Sequence, residues 1–374
     1  MCVDEGIIAL SRSIRLFREP GAGRLLLTCL VVLFLSGWIA AQVQSDWGRV
    51  HVQSIKIPTQ NGQWVVADLF RPRAASADSP APFIAVVPGF QRSKEALSNI
   101  ALELARRGFV TASIDPYAQG SSSASLSRIA ATTEGYGLFA LIDYVASSEN
   151  LNYVDKSRIG ATGHSAGGNA AIRAANYFGR EAIQTGMPSK LDSVYVSGYV
   201  LTLRDDVLAD VRSNVGVAYA LYDEGAYRNE LGHGDMRPAP EALRAVNSGL
   251  PAEQAVSVVD IGRYYGDKQA RTLRVVHNER VLHPFQPYMA EATANQIAYF
   301  EHVFDWSGEL SPYDQVWQWK EFLGVVSLIA GLVALVPMGQ LLLRTPWFSS
   351  LVRPVPQSLP KPSGRGRLLF WSTF

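Results

Sequence analysis

Two uncharged apolar runs bracket this chain, and they constrain everything between them. Leu25 to Val43 reads LLLTCLVVLFLSGWIAAQV, and Phe322 to Gly339 reads FLGVVSLIAGLVALVPMG. Each is close to the roughly 20 apolar residues that cross the hydrocarbon core of a bilayer. Basic residues followed by an apolar stretch also describe a secretory signal peptide. Against that, the first run is long for the role, and Trp38-Ile39-Ala40-Ala41-Gln42 is a mediocre cleavage site. Either way, the polypeptide after Val43 is exported. Arg12, Arg15, Arg18 and Arg24 precede the first run, while Arg344, Arg353, Lys361, Arg365 and Arg367 follow the second. Lys and Arg stay on the cytoplasmic side, so both ends are expected inside and the middle outside the cytoplasmic (inner) membrane. The expected division is a cytoplasmic N-terminus at 1–24, a transmembrane helix or signal peptide at 25–43, an exported domain at 44–308, a transmembrane helix at 320–343 and a basic cytoplasmic tail at 344–374. Leu368-Leu369-Phe370-Trp371 turns apolar again, which leaves open a truncated tail whose longer form has more spans.

The exported region is long enough for one large core. A formal net charge of +1, with no basic stripe in the middle of the chain, gives no sign of nucleic-acid binding. The two cysteines, Cys2 and Cys29, lie in or before the first run. The exported region therefore has no disulfide, no thiol nucleophile and no cysteine metal cluster. No His or carboxylate cluster has metal-ligand spacing, so neither a metal nor another cofactor is expected.

Strand and helix signals alternate along 50–304. Val50 to Ile57 alternates apolar and polar residues like a half-buried strand, and Trp64 to Phe70 reads as its hairpin partner. Phe83 to Val87 is a short continuous apolar run, as in a strand covered on both faces. The spacing then predicts a helix over Ser93 to Arg107, a strand over Phe109 to Ile114, a helix over Glu134 to Ser147 and a strand over Arg158 to Thr162. After these come an Ala-rich helix over Ala166 to Tyr177, strands over Val194 to Val200, Val215 to Leu221 and Leu273 to Val276, and a closing helix over Ala290 to Phe304. An antiparallel start followed by strand-helix units calls for an α/β fold, with a mostly parallel sheet and helices on both faces. Asp223 to Ala270 has the least readable pattern and is expected, with Ser121 to Thr133, to wall the site.

The strongest chemical signal is Gly163-His164-Ser165-Ala166-Gly167, followed by Gly168. Gly-x-Ser-x-Gly puts a serine on a sharp strand-to-helix turn, and the glycines let neighbouring backbone pass without a Cβ clash. Taken alone, the pattern turns up by chance in roughly one chain in ten. Here it lies between a strand and an Ala-rich helix, as that mechanism requires. A serine hydroxyl needs a histidine to take its proton. Of the six histidines, His51 is expected at the surface, His164 to turn away from Ser165, and His302 to sit on a helix. His233 lies in an irregular stretch, His277 ends the last strand, and His283 lies in the loop before the last helix.

With that order of elements, the chain resembles the α/β-hydrolase superfamily, and within it the dienelactone-hydrolase-like branch. The resemblance covers roughly Val50 to Phe304. It implies a triad in the chain order serine, acid, histidine, with the histidine between the last strand and the last helix. His283 fits that slot, with His277 the alternative. The acid would follow the second strand after the nucleophile, which makes it Asp223, with Glu224 next. The resemblance also places oxyanion N–H donors at Ala166 and at Phe90 in Pro88-Gly89-Phe90-Gln91, although Pro88 stands where many relatives have His.

These readings converge on a membrane-anchored serine hydrolase that cleaves a carboxylic ester, lactone or related acyl bond through an acyl-enzyme. Its partners would be a small-molecule acyl substrate and the lipid bilayer. Two rivals stand beside it: acyl transfer on the same triad, and a catalytically inactive hydrolase fold serving as a binding module.

Overall fold

The structure, a computed structural model, describes residues 21–59, 62–127, 129–306, 308–354, 356–357 and 363–373. Arg12, Arg15, Arg18, Lys361 and Cys2 lie outside them. The chain divides into two compact units: Ala40–Lys320, and the described parts of Met1–Ile39 and Glu321–Phe374.

The first unit is built on eight strands: β1 (Val50–Pro58), β2 (Trp64–Pro72), β3 (Ala81–Val87), β4 (Val110–Ile114), β5 (Val154–His164), β6 (Ser193–Ser197), β7 (Asn214–Ala218) and β8 (Arg274–His277). Their order across the sheet is β1-β2-β4-β3-β5-β6-β7-β8. The β1–β2 and β2–β4 pairs are antiparallel, and every other pair is parallel. Strands β3, β4, β6 and β7 are buried along their whole length, and β3 accordingly reads as an unbroken apolar run rather than an alternating one.

Helices cover both faces, so the fold is the α/β arrangement expected from the sequence. Helices α2 (Ser98–Arg106) and α6 (Ala290–Val303) bury Ile100, Leu104, Ile297 and Phe300 on one side. On the other side, α3 (Leu138–Ser147), α4 (Ala166–Thr185) and α5 (Pro240–Asn247) bury Ile142, Ile172, Phe178 and Ala242. Two boundaries differ from the sequence reading for identifiable reasons. α3 starts at Leu138, because Gly135, Tyr136 and Gly137 all take positive φ and break the helix before it. α4 runs on to Thr185 and stops where Gly186 adopts a left-handed cap at φ 70°.

The sheet register decides where the loops emerge. Val87 pairs with Gly163, so the loop after β3 leaves beside the turn after β5. Ala218 pairs with His277, so the loops after β7 and β8 also leave side by side. All four lie at the carboxyl edge of the parallel strands, the usual ligand edge of an open α/β sheet.

The second unit holds most of two helices, α1 (Gly21–Gln44) and α7 (Trp317–Leu342), with mean hydropathies of 2.2 and 2.3. Both are long and apolar enough to cross a membrane. Small side chains sit at the buried positions, Cys29 and Ser36 on α1 and Ala330 and Ala334 on α7. Ser36 Oγ and Ser327 Oγ share a hydrogen bond of 2.7 Å. Close approach through small residues with a hydroxyl bridge is how apolar helices associate where lipid gives no hydrophobic drive.

Candidate active site

The turn between β5 and α4 holds Ser165 at φ 58° and ψ −118°, a conformation that residues with a Cβ rarely adopt. Its N–H donates to Ser197 O at 2.8 Å and its carbonyl accepts Asn169 N–H at 3.0 Å, so the strained turn is pinned at both ends. The flanking glycines leave no room for a side chain. A Cβ on Gly163 would lie 2.4 Å from the Gly167 backbone, and one on Gly167 would lie 1.9 Å from Val87 O. Because that obstacle is β3 backbone, it cannot swing aside. Gly167→Ala is expected to cost upwards of about 3 kcal/mol, or roughly 6–12 °C in melting temperature. A melting curve of the variant matching the parent would show that the turn is looser than this geometry.

The loop after β3 crosses close over the Ser165 turn, since a Cβ on Gly89 would sit 3.4 Å from Ser165 Cβ. Gln91 turns it back with φ 56°, and Arg92 N–H closes onto Gly89 O at 3.2 Å. Among the described residues, neither Phe90 N–H nor Ala166 N–H has a backbone acceptor. Ala166 opens α4, where such N–H groups have no partner within the helix.

The loops after β7 and β8 bring Asp223 and His283 together. His283 Nδ1–H donates to Asp223 Oδ2 at 2.7 Å, which leaves Nε2 free. Burial alone would raise the Asp223 carboxyl. The hydrogen bond and charge of His283, with hydrogen bonds from Gly225 N–H and Tyr219, outweigh it and hold the group below its ordinary 3.8. The other acid of the pair, Glu224, accepts the His283 backbone N–H at 3.3 Å and so secures the loop rather than the ring. His277 is elsewhere: its Nδ1 shares a hydrogen bond of 3.0 Å with Tyr195 Oη, in the buried base of the last strands.

Ser165 and His283 line one cleft of about 180 Å³ with Gly89, Phe90, Leu97 and Tyr288. Among the described residues Ser165 Oγ makes no hydrogen bond, so the serine and the imidazole share the cleft without one between them. Catalytic hydrogen bonds often close only around substrate. The walls are not those read from the sequence. Among the described residues, neither Ser121–Thr133 nor Asp223–Ala270 lines this cleft, which is formed by the β3 loop and the 3₁₀ turn His283–Tyr288. Phe90, Leu282 and Phe285, on those two loops, are 66%, 45% and 59% exposed and present an apolar surface there.

His164 is buried beside the histidine loop. It lines the cleft, and its ring centroid lies 4.5 Å from that of His283. Burial, with His283 and Arg92 as neighbouring positive charges, pushes its imidazole down to about 3. Burial pushes His277 down to about 4. Both rings stay neutral in the folded domain but take up protons once unfolded, below their ordinary 6.5. Depressed folded values mean that their contribution to stability is complete above pH 6.5 and is lost as pH falls towards 4. The melting temperature should therefore drop by several degrees over that interval, and His277→Gln should flatten part of the slope. An unchanged slope in the variant would contradict the burial of a neutral His277.

Behind the cleft, Glu279 is buried and accepts from Gln286 Nε2 and Asn295 Nδ2, both at 2.9 Å. This ties the histidine loop to β8 and α6. No local pattern marks Glu279 in the sequence. Among the described residues, no three His, Cys, Asp or Glu side chains are grouped as metal ligands.

With this geometry in place, comparison with known proteins adds a family. The family described as PETase, PET hydrolase-like, matches residues 38–230, just over half of the chain. The match takes in Ser165 and Asp223 and ends before His283. Among solved structures, an esterase of Pyrococcus furiosus shares 11% identity at a TM-score of 0.46, over 68% of this chain and 92% of that one. A dienelactone hydrolase-like promiscuous phosphotriesterase from metagenomic libraries shares 15% at 0.46, over 70% and 100%. A putative dienelactone hydrolase from Klebsiella pneumoniae shares 18% at 0.44, over 69% and 99%.

Proposed function

The chain belongs to the PET hydrolase-like family, with the fold of an ester hydrolase, and from that premise we propose that Ser165, His283 and Asp223 form its catalytic triad. The observation that carries this is the strained Ser165 at the head of α4, sharing a cleft with an imidazole whose far nitrogen is held by a buried carboxylate. In the proposed cycle, His283 Nε2 takes the Ser165 proton as Oγ attacks the substrate carbonyl. The N–H groups of Ala166 and Phe90 receive the oxyanion. Collapse of the tetrahedral intermediate expels the alcohol, protonated by His283, and leaves an acyl-enzyme. Water, deprotonated by the same imidazole, then releases the acid.

The small cleft and the exposed Phe90, Leu282 and Phe285 beside it favour an ester with an apolar acyl or aromatic part over a highly charged one. We assign α1 and α7 as membrane spans that hold the hydrolase domain on the extracytoplasmic side. Arg344, Arg353, Arg365 and Arg367 beyond α7 support that orientation. The deciding experiment is fluorophosphonate labelling of the full chain in nanodiscs, followed by turnover of p-nitrophenyl esters of increasing acyl length. A folded protein that neither labels nor turns over any of them would leave the domain as a binding module.

A further inference from the structure

A second and larger cavity, about 1450 Å³, lies at the far end of α4 from Ser165. The helix separates the two by about 30 Å. Its floor is made where β7 and β8 begin, at the amino edge of the parallel strands, while the serine cleft sits at the carboxyl edge. A molecule held there cannot be the one attacked by Ser165.

The cavity combines two chemistries. Ile183 and Met187 after the core of α4, Leu208 and Val211 before β7, and Leu243 on α5 give it apolar walls. Ile183 and Met187 are 49% and 66% exposed and give the cavity an apolar rim open to solvent. Four arginines, Arg212, Arg244, Arg271 and Arg274, line it against a single carboxylate, Asp205.

Arg274 is the informative one. It is only 3% exposed, and among the described residues no carboxylate pairs with it. Its Nε donates to Ser248 Oγ at 3.1 Å, and its Nη1 donates to Ser213 O at 3.0 Å and Leu273 O at 2.9 Å. Among the described residues, Nη2 makes no hydrogen bond. Arg271 beside it is matched by Asp192 at 2.9 Å, and Arg244 by Glu230, so the shortage of negative charge falls on Arg212, whose Nη1 donates to the Ala209 and Val211 carbonyls, and on the buried Arg274. Burial pushes its guanidinium down to about 10, which still leaves a full cation at neutral pH. Buried charges in folded proteins are ordinarily paired, because an uncompensated one is costly. With Nε and Nη1 engaged, Nη2 is the nitrogen left to donate to a carboxylate oxygen, a charge-assisted hydrogen bond.

We infer that this cavity is a binding site for an apolar monocarboxylate, with the carboxylate on the Arg274 side and the hydrocarbon along Ile183, Met187 and Leu243. The acids released by ester hydrolysis belong to this chemical class. The site therefore suits a product or effector acid held apart from the cleft that makes it.

The test uses the full chain in nanodiscs titrated calorimetrically with octanoate, with empty nanodiscs as the blank. A diazirine-bearing octanoate then locates the site by peptide mapping. Saturable binding is expected, with label on 182–188 and 240–248, and octanol or octyltrimethylammonium should bind at least tenfold more weakly. Met187→Glu puts a like charge on an exposed wall without disturbing the core, and is expected to weaken octanoate binding tenfold or more. Arg274→Gln should do the same if it folds. Ser165→Ala should leave the affinity unchanged, which separates this site from the catalytic reading. Absence of saturable binding, equal binding of the uncharged or cationic analogue, or label confined to 89–97 and 283–288 would each overturn the inference.

Discussion

Replacing Ser165 by alanine is expected to abolish fluorophosphonate labelling and to lower kcat for a p-nitrophenyl ester by on the order of 10⁴-fold or more. KM and melting temperature should hardly move. The size of the loss follows from what remains: N–H donors at Ala166 and Phe90, and a cleft that still binds the ester, but no atom to accept the acyl group. Stability should be insensitive because alanine keeps the Cβ, and with it the strain of φ 58° and ψ −118°. Glycine at the same position removes that strain. A residue held in such a region costs about 1–3 kcal/mol, so Ser165→Gly should melt several degrees above Ser165→Ala while being equally inactive. The pair therefore separates chemistry from strain. Labelling that survives in both variants would mean that another serine is the nucleophile, whatever the conformation at 165.

What could be read from the sequence was whatever is decided locally. The nucleophile turn is written in Gly163, Gly167 and Gly168, whose missing side chains are a steric requirement visible before any fold is known. A strand such as β3 announces itself because burial on both faces leaves no polar position. The walls of the cleft were not legible in this way. They come from 89–97 and 283–288, segments brought together by the pairing of distant strands, and neither carries a periodicity of its own. The packing of the His164 ring against His283, more than a hundred residues away, was hidden for the same reason. Long-range polar contacts were equally hidden. Glu103 on α2 is fully buried, binds Arg107 at 3.1 Å and accepts the N–H groups of Val316 and Trp317 at 2.7 and 3.0 Å. It thus caps the start of α7 from more than 200 residues away, and no spacing in the sequence points to it. The arginines of the distal cavity belong to this class as well, since Arg274 becomes unusual only when its surroundings are known to lack a carboxylate.

Asp223→Asn is expected to cut kcat by about 10³–10⁴-fold at neutral pH, equivalent to roughly 4–5.5 kcal/mol of transition-state stabilisation. The carboxylate does two things that an amide does not. It accepts only, so Nδ1 must carry the imidazole proton and Nε2 is left as the base facing the cleft. It also offsets the positive charge that the ring gains as Ser165 gives up its proton. Its lowered pKa keeps it ionised throughout the range in which such an enzyme would work. An asparagine can donate to Nδ1, reverse the tautomer and turn an N–H towards the serine. Glu224 supplies the control. Its contact is with the His283 backbone N–H rather than the ring, so Glu224→Gln should cost less than tenfold, chiefly by loosening the loop. The depressed Asp223 value also has a sign in stability. The unfolded chain binds its proton more readily, so this contribution is present above about pH 4 and is lost as pH falls through the folded value. Asp223→Asn should therefore lose stability relative to the parent at neutral pH, with the gap closing in acid. If Glu224→Gln proved the more damaging change to kcat, the acid of the triad would be Glu224, and the short Asp223–His283 bond would be a structural contact.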